Sequence, residues 1–175
     1  SEFGQFIEWK YDDSLDWHLL NYPMHLAMHD YVRQLNEYYV DHPELWEEDC
    51  DWSGFSWISC DDNDNSAIAF FRTGKDEKDS TVVLCNFTPV VRHSYRIGVP
   101  VKGDYVEVFN SDAEAFGGSN VLNEGVFTAQ DVPMHGMDQS IELTLPPLAT
   151  IYLRLTEDSK HLLEAHESLD EGPKA

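Results

Sequence analysis

Two short alternations near the end of the 175-residue chain constrain its fold more than any other feature. Ile141, Leu143 and Leu145 alternate with other residues, Pro146-Pro147 follow, and Ile151, Leu153 and Leu155 repeat the pattern. A period of two belongs to a β-strand with one face turned to a core. The two prolines cannot donate to a strand ladder and therefore mark a corner between the strands. A lone pair of this kind is not stable in water, so a second apolar layer must cover it. Val82-Val83-Leu84-Cys85 is apolar on both faces, as in a strand covered from two sides. Strands are expected at 55–59, 67–72, 81–88, 94–99, 105–110, 140–145 and 150–155, with turn residues between them. The series predicts a mainly β chain, with an antiparallel β-sandwich over about residues 50–156. The excursion 116–137, rich in Gly, Asn and His, has room for one short strand at 126–128.

The chain before residue 50 obeys other rules. Residues 1–22 keep neither a helical nor an alternating period and read as loop. From about residue 24 to 40, Met24, Met28, Tyr31, Val32, Leu35 and Tyr38 recur at helical spacing on one face. Pro23 suits the first turn, and Asp41-His42-Pro43 ends the helix, because the residue before proline is pushed out of the helical region. A short helical turn is expected at 44–48. Residues 157–175 form an acidic tail, and Leu162, Leu163 and Leu169 are too few to add much to the core. The organisation is therefore 1–49, 50–156 and 157–175.

Charge excludes whole classes of partner. Thirty-three Asp and Glu stand against eleven Lys and Arg, a net charge of −22 that repels phosphate polymers and anionic lipid. No apolar run approaches the roughly 20 residues of a membrane span. Nucleic acid and membrane are thus not expected as partners. Residues 1–5 carry neither a basic start nor an apolar stretch of a secretion signal. Cys50, Cys60 and Cys85 lack CxxC spacing and suit free thiols in a reducing, cytoplasmic setting.

The motifs that could carry chemistry are incomplete. Asp61-Asp62-Asn63-Asp64-Asn65 opens like a calcium loop, but Ser66 stands where the sharp turn needs Gly and Arg72 where a bidentate Glu is needed. A hairpin turn is the better reading. His25 and His29 lie one helical turn apart, yet no Glu and no third ligand accompany them, so no metal is expected. Asn86-Phe87-Thr88 is formally a glycosylation sequon at the end of the most apolar strand, where chance explains it. No nucleophile elbow, Walker loop or dinucleotide fingerprint occurs, and no cofactor is implied. What remains is the loop bearing Trp9, Tyr11, Asp12, Asp13, Asp16, Trp17 and His18. Aromatic faces stack on the C–H faces of sugar rings, and carboxylates accept from sugar hydroxyls. The same tryptophans could instead merely pin the loop to the core.

At those residues the sequence resembles a known family. Ser-Glu-Phe-Gly-Gln at 1–5, Glu8-Trp9 and Ser14-Leu15-Asp16-Trp17-His18-Leu19-Leu20 are similar to the glycogen branching enzymes of the α-amylase superfamily. The likeness continues through Phe55-Ser56-Trp57-Ile58, Cys85-Asn86-Phe87-Thr88-Pro89, Arg92-His93-Ser94-Tyr95-Arg96, Asn110-Ser111-Asp112 and Leu143-Thr144-Leu145-Pro146-Pro147-Leu148-Ala149-Thr150. It covers about residues 1–155. The resemblance implies a truncated (β/α)8 barrel: its last loop and last helix lie in 1–49, and the all-β C-terminal domain follows. It implies a parent 1,4-α-glucan branching enzyme of the glycoside hydrolase 13 type, which cleaves an α-1,4 bond through a covalent glycosyl-enzyme and transfers the chain to a 6-hydroxyl. The family's nucleophile Asp, acid/base Glu and stabilising Asp match positions upstream of Ser1, so no residue here inherits a catalytic role. Glycogen or amylose and the remainder of the barrel are the implied partners, with Trp9, Asp16 and Trp17 as candidate glucan contacts. The alternatives are a stand-alone glucan-binding module and a purely structural domain.

Overall fold

The computed structural model describes residues 2–76 and 79–156, so the acidic tail at 157–175 lies outside the described residues. Among the described residues, eight strands form two antiparallel sheets. They are β1 (Phe55–Asp62), β2 (Ala67–Thr73), β3 (Ser80–Asn86), β4 (Arg92–Val99), β5 (Asp104–Asn110), β6 (Phe127–Thr128), β7 (Gln139–Leu145) and β8 (Thr150–Leu155). Six of them lie in the order β1-β2-β3-β8-β5-β6, and β4 pairs with β7 in a second sheet. Every strand expected from alternation is present, including the short one in the 116–137 excursion.

The core lies between the sheets. Val82 and Leu84 of β3 face it with Ile151, Leu153 and Leu155 of β8, while Ile97, Val99, Ile141, Leu143 and Leu145 cover them from the small sheet. The alternating residues named from sequence are thus the buried ones, because a strand turns successive side chains to opposite faces. Tyr105 is also buried in this layer, where its hydroxyl donates to the Val101 carbonyl at 2.8 Å. Asn86 belongs to the same framework. Its Nδ2 donates to the carbonyls of Val90 and Pro146, both at 2.8 Å, and its Oδ1 accepts from the Thr88 amide and hydroxyl. The sequon is therefore a buried corner joint, with the asparagine already fully bonded.

The opposite face of the large sheet is aromatic. Tyr152 on β8 and Phe109 on β5 stack there with ring centroids 5.3 Å apart. The helix α1 (Pro23–Asp41) lies against them through Tyr31 and Tyr38, seven residues and two turns apart. Burial pushes the phenols of Tyr38 and Tyr152 up to about 12. The methionine part of the expected apolar stripe is not used: Met24 and Met28 stay exposed, and α1 has no fully buried residue. The sheet offers flat rings at this point, and tyrosine matches them better than an unbranched thioether.

After α1 the chain makes a 3-10 turn, Pro43–Leu45, that ties it to the inner strands β2, β3 and β8 of the large sheet. Glu44 is 0% exposed. The Thr81 hydroxyl donates to its Oε1 at 2.6 Å, and Arg154 Nε lies 3.5 Å from the same oxygen. Arg72 donates to the carbonyls of Glu44 and Leu45 at 3.3 and 3.0 Å and pairs with Asp49 at 2.8 Å. Charged groups from both sides of residue 50 thus meet in one network.

Candidate functional site

The loop singled out from sequence is built on a small apolar anchor. Phe3 and Leu19 are buried, and the ring of Trp17 stacks on Phe3 at 5.4 Å. His25 Nδ1 donates to the Phe3 carbonyl at 2.7 Å, which fixes the loop to the first turn of α1. That bond also gives His25 a structural task. Among the described residues no cluster of three or more His, Cys, Asp or Glu could hold a metal ion. The loop then closes on itself: the Asp16 amide donates to Gln5 Oε1 at 3.3 Å, and a 3-10 helix runs over Trp17–Asn21.

This geometry brings Asp16 and Trp17 together on an ordered turn but leaves Trp9 apart. Trp17 is 55% exposed despite its stack, so one ring face is held while much of the side chain meets solvent. Trp9 is 69% exposed and has no ring partner among the described residues. Chemically the loop offers a pre-oriented aromatic plane beside a carboxylate. An exposed aromatic face and a carboxylate are the side-chain types that hold a polyhydroxy ring.

A second aromatic group, half-buried apart from its exposed tryptophan, escaped the sequence reading. Phe55, Trp57 and Phe70 lie on one face of the β1–β2 edge, with Trp57 centroids 5.0 Å from Phe55 and 6.0 Å from Phe70. Trp57 is 53% exposed, on the solvent side of its strand. The signal was the i, i+2 spacing of Phe55 and Trp57, which puts both on one face, but only the sheet order shows that β1 is an edge strand.

With this architecture in place, comparison with known proteins is decisive. Residues 57–156 match the alpha amylase, C-terminal all-beta domain. The chain belongs to this family. This alpha-amylase C-terminal domain and the segment before it are also similar to part of several longer proteins. The chain is 52% identical, over 87% of its length, to a 1,4-alpha-glucan branching enzyme of Halothermothrix orenii and covers 24% of that protein. A branching enzyme of Xanthomonas axonopodis pv. citri is likewise 52% identical over 87% of this chain, which covers 21% of it. One from Synechococcus elongatus is 44% identical over 95% of the chain and is covered over 22%. The chain thus spans between a fifth and a quarter of the length of these curated relatives. No helix among the described residues is long and apolar enough to cross a membrane.

Proposed function

We propose that the chain is the C-terminal portion of a cytoplasmic 1,4-α-glucan branching enzyme. The observation that carries this reading is the 52% identity to branching enzymes over 153 residues, which extends well beyond the family domain at 57–156. In this reading residues 1–49 are the last βα loop and last helix of the catalytic barrel, 50–156 are the C-terminal sandwich, and 157–175 are a tail. The parent enzyme cleaves α-1,4 bonds of glycogen or amylose and re-forms them as α-1,6 branches, using carboxylates supplied by the barrel. The segment 1–49 packs against the remainder of that barrel. Phe6, Ile7, Tyr11, Met24 and Leu26, all exposed here, favour such a neighbour, since so dense an apolar surface is unusual for a free-standing domain. Active sites of these barrels are built from βα loops, which gives Trp9, Asp16 and Trp17 a place at the glucan cleft.

Two measurements test the proposal. Amylose incubated with the pure chain and stained with iodine should keep its colour, because the bond-breaking carboxylates are not in it. A loss of colour proportional to protein would overturn the assignment of catalysis to the barrel. Retardation on a glycogen-affinity gel should weaken about fivefold in Trp17→Ala, the loss of roughly 1 kcal/mol of aromatic contact. Equal retardation of a folded variant and the parent chain would leave the loop a structural anchor only.

A further inference from the structure

A cleft of about 480 Å³ opens in the sandwich between the start of β4, the β1–β2 turn and the tight turn at 134–137. Its volume is in the range of small-molecule sites. Arg92 lines it and is poorly satisfied. One weak hydrogen bond runs from its Nη2 to the Asn65 carbonyl at 3.3 Å, and its buried Nε has no partner. No carboxylate lies within ion-pair distance of Arg92 among the described residues. A buried guanidinium N–H left unpaired is costly, and an oxyanion is the group that would relieve it, through the planar fork.

The neighbouring charges are already in use. Arg96 is held by Glu142 at 2.8 Å and donates to Gln130 and Ser140. Asp62, the one carboxylate lining the cleft among the described residues, accepts from the Tyr95 hydroxyl at 2.8 Å and from the amide and side chain of Asn65. His135 accepts at Nδ1 from the Gly98 amide at 3.3 Å, so its neutral ring carries the proton on Nε2 and can donate. The backbone supports the same place. Ser94 and His135 both adopt left-handed conformations, with φ of 52° and 54°, and the β4–β7 register shifts between Arg92 and Tyr95. Such bulges and left-handed non-glycine residues re-aim side chains at working sites. Gly98 is what lets the turn come this close, since a Cβ there would collide with the Met134 carbonyl.

We propose that this cleft binds a small phosphate-bearing molecule, with Arg92 as the ion partner and His135 Nε2 and the Ser94 hydroxyl as donors. A long phosphate polymer is disfavoured by the net charge of −22, whereas a small ligand meets chiefly the local donors. The full chain should be titrated with inorganic phosphate, glucose 6-phosphate and acetate, each against sodium chloride at matched ionic strength, with amide and imidazole NMR shifts as readout. Saturable shifts centred on residues 92–96 and 134–135 with both phosphates, and weaker ones with acetate, are expected. Arg92→Gln should weaken phosphate binding about tenfold or more, the loss of a hydrogen bond to a charged group. Shifts no larger than those from chloride, shifts mapped elsewhere, or tighter binding of acetate than of phosphate would overturn the proposal. Because that map is made on the parent chain, it decides the question even if the variant does not fold. Binding undiminished in a folded Arg92→Gln variant would also overturn it.

Discussion

Replacing Glu44 by Ala tests whether the segment before residue 50 and the sandwich are held as one energetic unit. The side chain is 0% exposed, receives the Thr81 hydroxyl at 2.6 Å and lies 3.5 Å from Arg154 Nε. At an effective dielectric constant of about 20, opposite charges at that separation attract by roughly 5 kcal/mol before desolvation is subtracted. Most of that gain offsets the burial of the two charges, so the pair itself adds little. Removing one partner is different, because the other stays buried: about 3–5 kcal/mol is lost in such cases. Arg154 keeps a second partner in Asp79 at 3.3 Å, which places the expected loss at the lower end, about 3 kcal/mol. For a chain of this size that lowers the thermal midpoint by roughly 6–12 °C. Urea unfolding followed by tryptophan fluorescence measures it, and Arg154→Met with the double variant closes a mutant cycle. The cycle should return a coupling of at least about 1 kcal/mol between the two sites. If Glu44→Ala loses less than about 0.5 kcal/mol, or the coupling is zero, the network does not join the two segments and the reasoning fails.

Tyr95→Phe should lower stability by about 1 kcal/mol at pH 7, by removing the hydroxyl that donates to Asp62. Burial alone would raise the Asp62 carboxyl, but the bonds from Asn65 and Tyr95 outweigh it and hold the group below its usual range. A depressed carboxylate stabilises the fold above its unfolded pKa and loses that contribution as pH falls through the folded value. The gap between the parent chain and Tyr95→Phe should therefore shrink between neutral pH and about pH 3, and urea midpoints showing a constant gap would refute the link. Asn86→Ala leaves two carbonyls and an amide without their partners, and should lose about 2–4 kcal/mol in urea unfolding. A loss below about 1 kcal/mol would mean that the corner does not depend on this side chain.

Strand positions and their inward faces were legible in the sequence because a strand's side-chain period is local: Ile141, Leu143 and Leu145 needed no knowledge of what they would meet. The Pro146-Pro147 corner and the end of α1 before Pro43 were legible for the same reason, each set by backbone chemistry within a few residues. The loop of Trp9, Asp16 and Trp17 could be named as a group but not assembled, because the stack of Trp17 on Phe3 and the exposure of Trp9 depend on how the loop closes. Only the tertiary structure placed β8 between β3 and β5, for pairing between strands nearly seventy residues apart leaves no periodic trace in either. It also decided that α1 would dock by Tyr31 and Tyr38 rather than by its methionines, since that choice belongs to the rings of Phe109 and Tyr152 across the interface. The burial of Glu44 could not be read at all. A glutamate after a proline looks like any exposed helix-start residue until Thr81 and Arg154, distant in the chain, arrive to bond it. The cleft at Arg92 is of the same kind: a bulge, a hairpin and a turn from three parts of the sequence make one concavity, and no one of them holds it.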